Sequence, residues 1–204
     1  MKVLVLFYSM YGHVERMARA VAEGVRSVEG VEPVLRRASE FQEILDEKGG
    51  DKHFREARER QEDVPDCTLD DLDRADGILL GTPTRYGNMT AQMKRLLDST
   101  ASLWVKGAME GKPVGVFTST ATTHGGQETT LLSSMIPLLH LGMIIVGVPY
   151  STPGMLHTEG RGGTPYGAST LAGSDNALQP AEEDLEIARA QGRRVAEVTK
   201  RLRG

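Results

Sequence analysis

Apolar and polar positions along the chain follow two alternating rhythms. Val3–Phe7 is a short continuous apolar run, the mark of a buried strand. Val14, Met17, Ala18, Val21, Ala22 and Val25 then recur at helical spacing and put one apolar face on a helix over Val14–Ser27. The same change of period repeats downstream. Strands are predicted at Glu32–Arg37, Asp76–Gly81, Pro113–Ser119 and Met143–Val148, and helices at Thr90–Ser99, Glu128–Leu141 and about Pro180–Leu202. Strands alternating with helices predict an α/β fold: a doubly wound parallel sheet with helices on both faces. Five strands fit the order 2-1-3-4-5 in a single domain over residues 1–204.

Two stretches break the pattern. Glu40–Asp66 is dense in charge and reads as a solvated excursion or short surface helix, away from any site. Tyr150–Gln179 is rich in Gly, Ser, Thr and Pro, too long for an ordinary connection, and reads as a subunit interface or an active-site wall. In the last helix Leu185, Ala188, Gly192, Val195 and Leu202 form the expected buried stripe, Pro180 fits its first turn, and Gly192 implies a close backbone approach.

Composition narrows the function classes. The 204 residues carry a net charge of −4, which offers no electrostatic footprint for nucleic acid or anionic lipid. No segment approaches a membrane-spanning length, and a cytoplasmic protein is expected. Cys67, the one cysteine, excludes an internal disulfide and a cysteine-based metal cluster and reads as an inert thiol. No metal site is predicted.

Chemistry concentrates where predicted strands end. Ser9-Met10-Tyr11-Gly12-His13-Val14 joins the first strand to a helix N-terminus, where orphan N–H groups and the positive dipole end favour an anion. It lacks both GxGxxG and the lysine of GxxxxGK[ST], so a cradle for one terminal phosphate fits better than a dinucleotide or triphosphate site. Pro83-Thr84-Arg85-Tyr86-Gly87 follows the third strand, with Asn88 or Thr90 as cap of the next helix. There backbone N–H groups could bond the edge of a flat ring, and Tyr86 could pack on it. Ser119-Thr120-Ala121-Thr122-Thr123-His124-Gly125 follows the fourth strand. Three small, hydroxylated loops on one rim argue for a ligand crevice more strongly than any one alone. Trp104, the only tryptophan, is a candidate border for a flat aromatic substrate, and His140 closes the helix before the last strand. No Ser/His/Asp, CxxC, HExxH or paired-carboxylate signature is present, which suits a protein whose cofactor carries the reaction.

SMYGHV, GTPTRYGNM, the Leu103-Trp104 pair, GGQETT, HLGM, RGGTPYGAST and the helical Ala188–Gly192 together resemble the WrbA-type NAD(P)H:quinone oxidoreductases, over about residues 2–202. The resemblance implies a flavodoxin-like fold, non-covalent FMN, two-electron reduction of quinones by NADH or NADPH in a ping-pong order, and a homotetramer. It assigns Ser9–Val14 to the FMN phosphate, Pro83–Gly87 to the flavin ring and Ser119–Gly125 to the rest of the pocket. His140 would reach the pocket from a neighbouring subunit and steady charge on the quinone oxygen. Tyr11 and Trp104 would border the substrate space. The family's third loop is glycine-rich, whereas this chain has STATTHGG at 119–126. A flavodoxin-like electron carrier is the alternative; Trp104 and the long 150–179 segment favour the enzyme.

Overall fold

The computed structural model describes residues 1–158 and 161–203. Strands β1 (Lys2–Phe7), β2 (Glu32–Arg37), β3 (Gly77–Pro83) and β4 (Pro113–Thr120) form the parallel heart of the sheet in the order β2-β1-β3-β4. Helices α1 (His13–Arg26) and α8 (Glu182–Arg203) cover one face; α4 (Leu69–Arg74), α5 (Ala91–Asp98), α6 (Ala101–Val105) and α7 (Gln127–His140) pack on the other. Strand alternation sorts the two cores. Val3, Val5 and Phe7 pack in the α1–α8 layer, while Leu4 and Leu6 pack with Met93, Leu103 and Leu138 opposite. Every β1 position from Val3 onward is buried, so the strand reads as one apolar run, as parallel central strands do.

The fifth strand differs from expectation. Of Met143–Val148, only Ile144–Ile145 (β5) pairs as a strand, beside Pro113 and Val114 at the start of β4. The chain then peels away, and Val148 donates its N–H to the Pro165 carbonyl instead of to β4. The place beside the end of β4 is taken by β7 (Gly167–Leu171), with Ser169 opposite Thr118, and β6 (Gly163–Thr164) adds a short antiparallel hairpin. GASTL lacks a bulky apolar pattern; its residues suit a tight slot, since a β-carbon on Gly167 would collide with the Val116 carbonyl.

Helices α1 and α8 approach closely enough that a β-carbon on Gly192 would strike the Val21 carbonyl, the close approach that Gly192 implied. Ala188, Gly192 and Val195 are buried as expected, but Leu202 is exposed, Leu185 only half-buried, and Pro180 lies before the first turn. Asp184 does more than complement the helix dipole. Buried, it accepts from the Gly162 N–H (2.6 Å), the Thr170 hydroxyl (2.7 Å) and the Ala181 N–H (3.1 Å), tying α8 to β7. The charged excursion folds as α2 (Gln42–Lys48) and α3 (Lys52–Glu59), anchored by buried Phe54, Ala57, Gln61 and Val64. Among the described residues no helix is long and apolar enough to cross a membrane.

Candidate functional site

β1 ends against β3, where the Tyr8 N–H reaches the Gly81 carbonyl, and the chain turns sharply into α1. Gly12 makes the turn at φ 93°, a left-handed conformation that side chains resist, and its N–H donates to Ser9 Oγ at 3.1 Å. The first bond of α1 runs from the Arg16 N–H to the Gly12 carbonyl. The N–H groups of His13, Val14 and Glu15 precede it and are the helix's orphans. The His13 ring is 5 % exposed, and its Nε2 has no hydrogen-bond partner among the described residues. Burial pushes its pKa down, against hydrogen bonding with the backbone of Leu178 and Asn176.

Loops after three further strands close on this turn. The resulting cleft, about 520 Å³ with the space at its mouth, is lined by Ser9, Met10, Tyr11, His13 and Val14 from the first loop and Pro83, Thr84 and Arg85 from the second. Ser119, Thr120 and Ala121 line it from the third, and Ala172 and Asn176 from the segment after β7. The last pair supports the wall reading of 150–179 and carries no chemical signal that sequence reasoning could have used. Thr90 caps α5 by accepting from the Met93 N–H. A ladder fixes the second loop: Thr84 donates its N–H to Ser119, Arg85 and Asn88 exchange backbone bonds, and Gly87 donates to Thr84 Oγ1. Those N–H groups are therefore engaged within the protein, and Tyr86 holds φ 53° with its ring fully exposed rather than packed inward.

The third loop divides. Ser119–Ala121 face the cleft, whereas Thr123 and His124 line a separate polar recess with His157 and Arg161. Thr122 and Gly125 bond each other through the backbone, closing the turn between the two. Trp104 and His140 are outside the cleft within one chain. They share a wide groove with Met89, Leu97, Ile136 and Pro137, and Trp104 is 62 % exposed, not core. Burial pushes the half-buried Cys67 thiol up to about 12, which disfavours the reactive thiolate.

One expectation is reversed. The 40–66 excursion does not lie away from the site, because Gln61, buried, donates Nε2 to the Ser9 carbonyl at 3.2 Å. Charge density masked this contact, and the only cue was Gln61 in a run of otherwise ionic residues.

The family model for NADPH-dependent FMN reductase matches residues 1–155. The chain belongs to that family. Full-length relatives named NAD(P)H dehydrogenase (quinone) include those of Solidesulfovibrio magneticus, 52 % identical with 100 % of both chains covered, and Syntrophobacter fumaroxidans, 55 % identical with 99 % and 98 % covered. A flavodoxin, WrbA-like protein from Agrobacterium tumefaciens superposes with a TM-score of 0.65 at 26 % identity over 98 % of each chain. Flavodoxin 1 from Bacillus cereus, at 19 % identity and TM-score 0.58 over 97 % and 98 %, shares the fold. The cleft suits the family's flavin nucleotide. Ser9 and the orphan N–H groups offer neutral donors for one phosphate, the buried His13 nitrogen lacks a partner, and Ala121 and Ala172 leave room for a ring. The residues present fit FMN.

Proposed function

We propose that this protein is an FMN-dependent NAD(P)H:quinone oxidoreductase that works in a ping-pong order. One observation carries the reading. Among the described residues the cleft lining contains no carboxylate, amine or thiol, while four strand-end loops supply a phosphate turn and a ring-sized slot. Bound FMN supplies hydride acceptance and donation, so the chain need only hold and orient it and exclude water. Ser9, Gly12, His13 and Val14 hold the phosphate end. Pro83–Arg85 and Ser119–Ala121 set the ring's depth, and Arg85, whose Nη2 lies 3.6 Å from Met10 Sδ, bridges two rims. Nicotinamide and quinone would share the open side beside Tyr11 and Tyr86, which makes their binding mutually exclusive and gives the ping-pong order.

Trp104 and His140 enter this scheme through assembly. Trp104 and Ile136 line the groove and are exposed, and Val105 and Leu139 are exposed beside them on α6 and α7, the kind of apolar surface that marks an interaction site. A homotetramer that buries this face would bring His140 and Trp104 of one subunit towards the cleft of another, where His140 would steady charge on the quinone oxygen. The test is an anaerobic visible spectrum of the FMN-loaded protein. NADPH or NADH should bleach the flavin bands fully, and benzoquinone should restore them. A flavin that stays oxidised would transfer the reading to an electron carrier, and absence of flavin uptake would sink the site.

A further inference from the structure

The end of the charged excursion is fastened at two points, one on the phosphate turn and one on α1. Gln61 Nε2 donates to the carbonyls of Ser9 and Ala57, at 3.2 Å and 2.6 Å. Arg19 Nη2 donates to the Arg60 carbonyl at 2.9 Å. Between these points the Arg60 guanidinium lies on Gly12, with Nη2 in the space a β-carbon there would fill. Behind it sits Glu15, whose side chain is 3 % exposed. Glu15 Oε1 pairs with Arg19, and Oε2 has no hydrogen-bond partner among the described residues and lies 3.9 Å from Arg60 Nε. Arg19 is further occupied by two bonds to Asp63. The Arg60 guanidinium donates no hydrogen bond among the described residues, so its fork of donors is uncommitted beside the N-terminus of α1.

We propose that Arg60 is the side-chain cation for the FMN phosphate, presented by Glu15 and by the Gln61–Ser9 bond. The inference rests on the assignment of Ser9–Val14 to that phosphate. The turn itself offers neutral donors and about half a positive charge from the helix dipole, against a ligand group carrying up to two negative charges. It lacks the lysine that other phosphate loops carry. A guanidinium matches phosphate geometry with paired donors, and Glu15 keeps this one from swinging into solvent.

The experiment compares FMN with riboflavin, which lacks the phosphate, by quenching of flavin fluorescence on flavin-stripped protein at low and high salt. Arg60→Gln should weaken FMN about tenfold, since Arg60 is half-exposed and screened, with riboflavin within about twofold of native. The salt dependence of FMN binding should become shallower, and Arg60→Lys should recover part of the loss. Equal losses for both flavins, or an unchanged FMN affinity, would overturn the proposal and leave Arg60 as packing on Gly12. Native protein that binds both flavins alike would instead overturn the phosphate assignment, and the proposal with it.

Discussion

The cleft and the groove are opposite kinds of cavity in one small protein. The cleft draws its walls from the ends of four strand-associated loops and is finished by backbone turns, hydroxyls and small side chains. The groove lies between α5, α6 and α7 and mixes apolar side chains, of which Trp104 and Ile136 are exposed, with Lys94, Asp98 and His140. The first is complete within one chain and matches a small polar-ended ligand. The second is the face that the proposed homotetramer would bury. On the proposed homotetramer, loading of the cofactor should be a property of the single chain, and turnover a property of the assembly.

The harshest break in this contrast is Gly12→Val. The left-handed φ strains any β-branched residue there, and its side chain would push the Arg60 guanidinium off the turn, so flavin affinity should fall by at least about 100-fold, read by fluorescence quenching. The groove should remain unaffected, with the same assembly state by sedimentation. The converse substitution, Ile136→Asp with Leu139→Asp, should dissociate the proposed homotetramer to monomers and cut quinone turnover at least about tenfold. FMN affinity should stay within about twofold; simultaneous loss of flavin would show that the two cavities are not separable.

Gly192→Val acts beneath the cleft alone. Its side chain would meet the Val21 carbonyl, and about 1–3 kcal/mol of stability should be lost in denaturant titration. The smallest effect is a pH slope at His13. Burial lowers its pKa in the folded protein, so the unfolded chain binds more protons between that depressed value and about 6.5. Stability should therefore fall as pH drops through that window. Flavin-stripped His13→Gln should lose less melting temperature than the native protein between pH 7.5 and 5.5.

What could be read from the chain follows from what each residue touches. The four parallel strands and their flanking helices were legible because burial on both faces makes strands such as Val3–Phe7 continuously apolar. Helix α1 was legible because one stripe meets the sheet. The three rim loops were legible for a related reason: small and hydroxylated residues at strand ends have few structural duties. β7 was not, because GASTL fits its slot by being small, and smallness has no period. Leu202 misled by continuing the α8 pattern past the edge of the sheet. The docking of Gln61 on Ser9 was hidden because one buried amide among ionic neighbours leaves the average polarity of the stretch after α3 unchanged. Trp104 was read from the sequence as a candidate border for an aromatic substrate, and only three-dimensional packing separates its groove from the cleft.

The divided edge strand carries a consequence for how such a chain can vary. β4 is paired at its start by Ile144–Ile145 and at its end by Ser169–Leu171, so its own pairing does not fix the length of the connection between them. Closing a longer connection costs only about 0.6 kcal/mol per doubling of its length. Met155 is buried in the α1–α8 core, but Leu156, His157 and Thr158 are exposed, and insertions there should leave the melting temperature nearly unchanged while the return into β7 still delivers Ala172 and Asn176 to the same wall. The fold thus holds a site at which new surface can be grafted without disturbing the register that shapes the cleft.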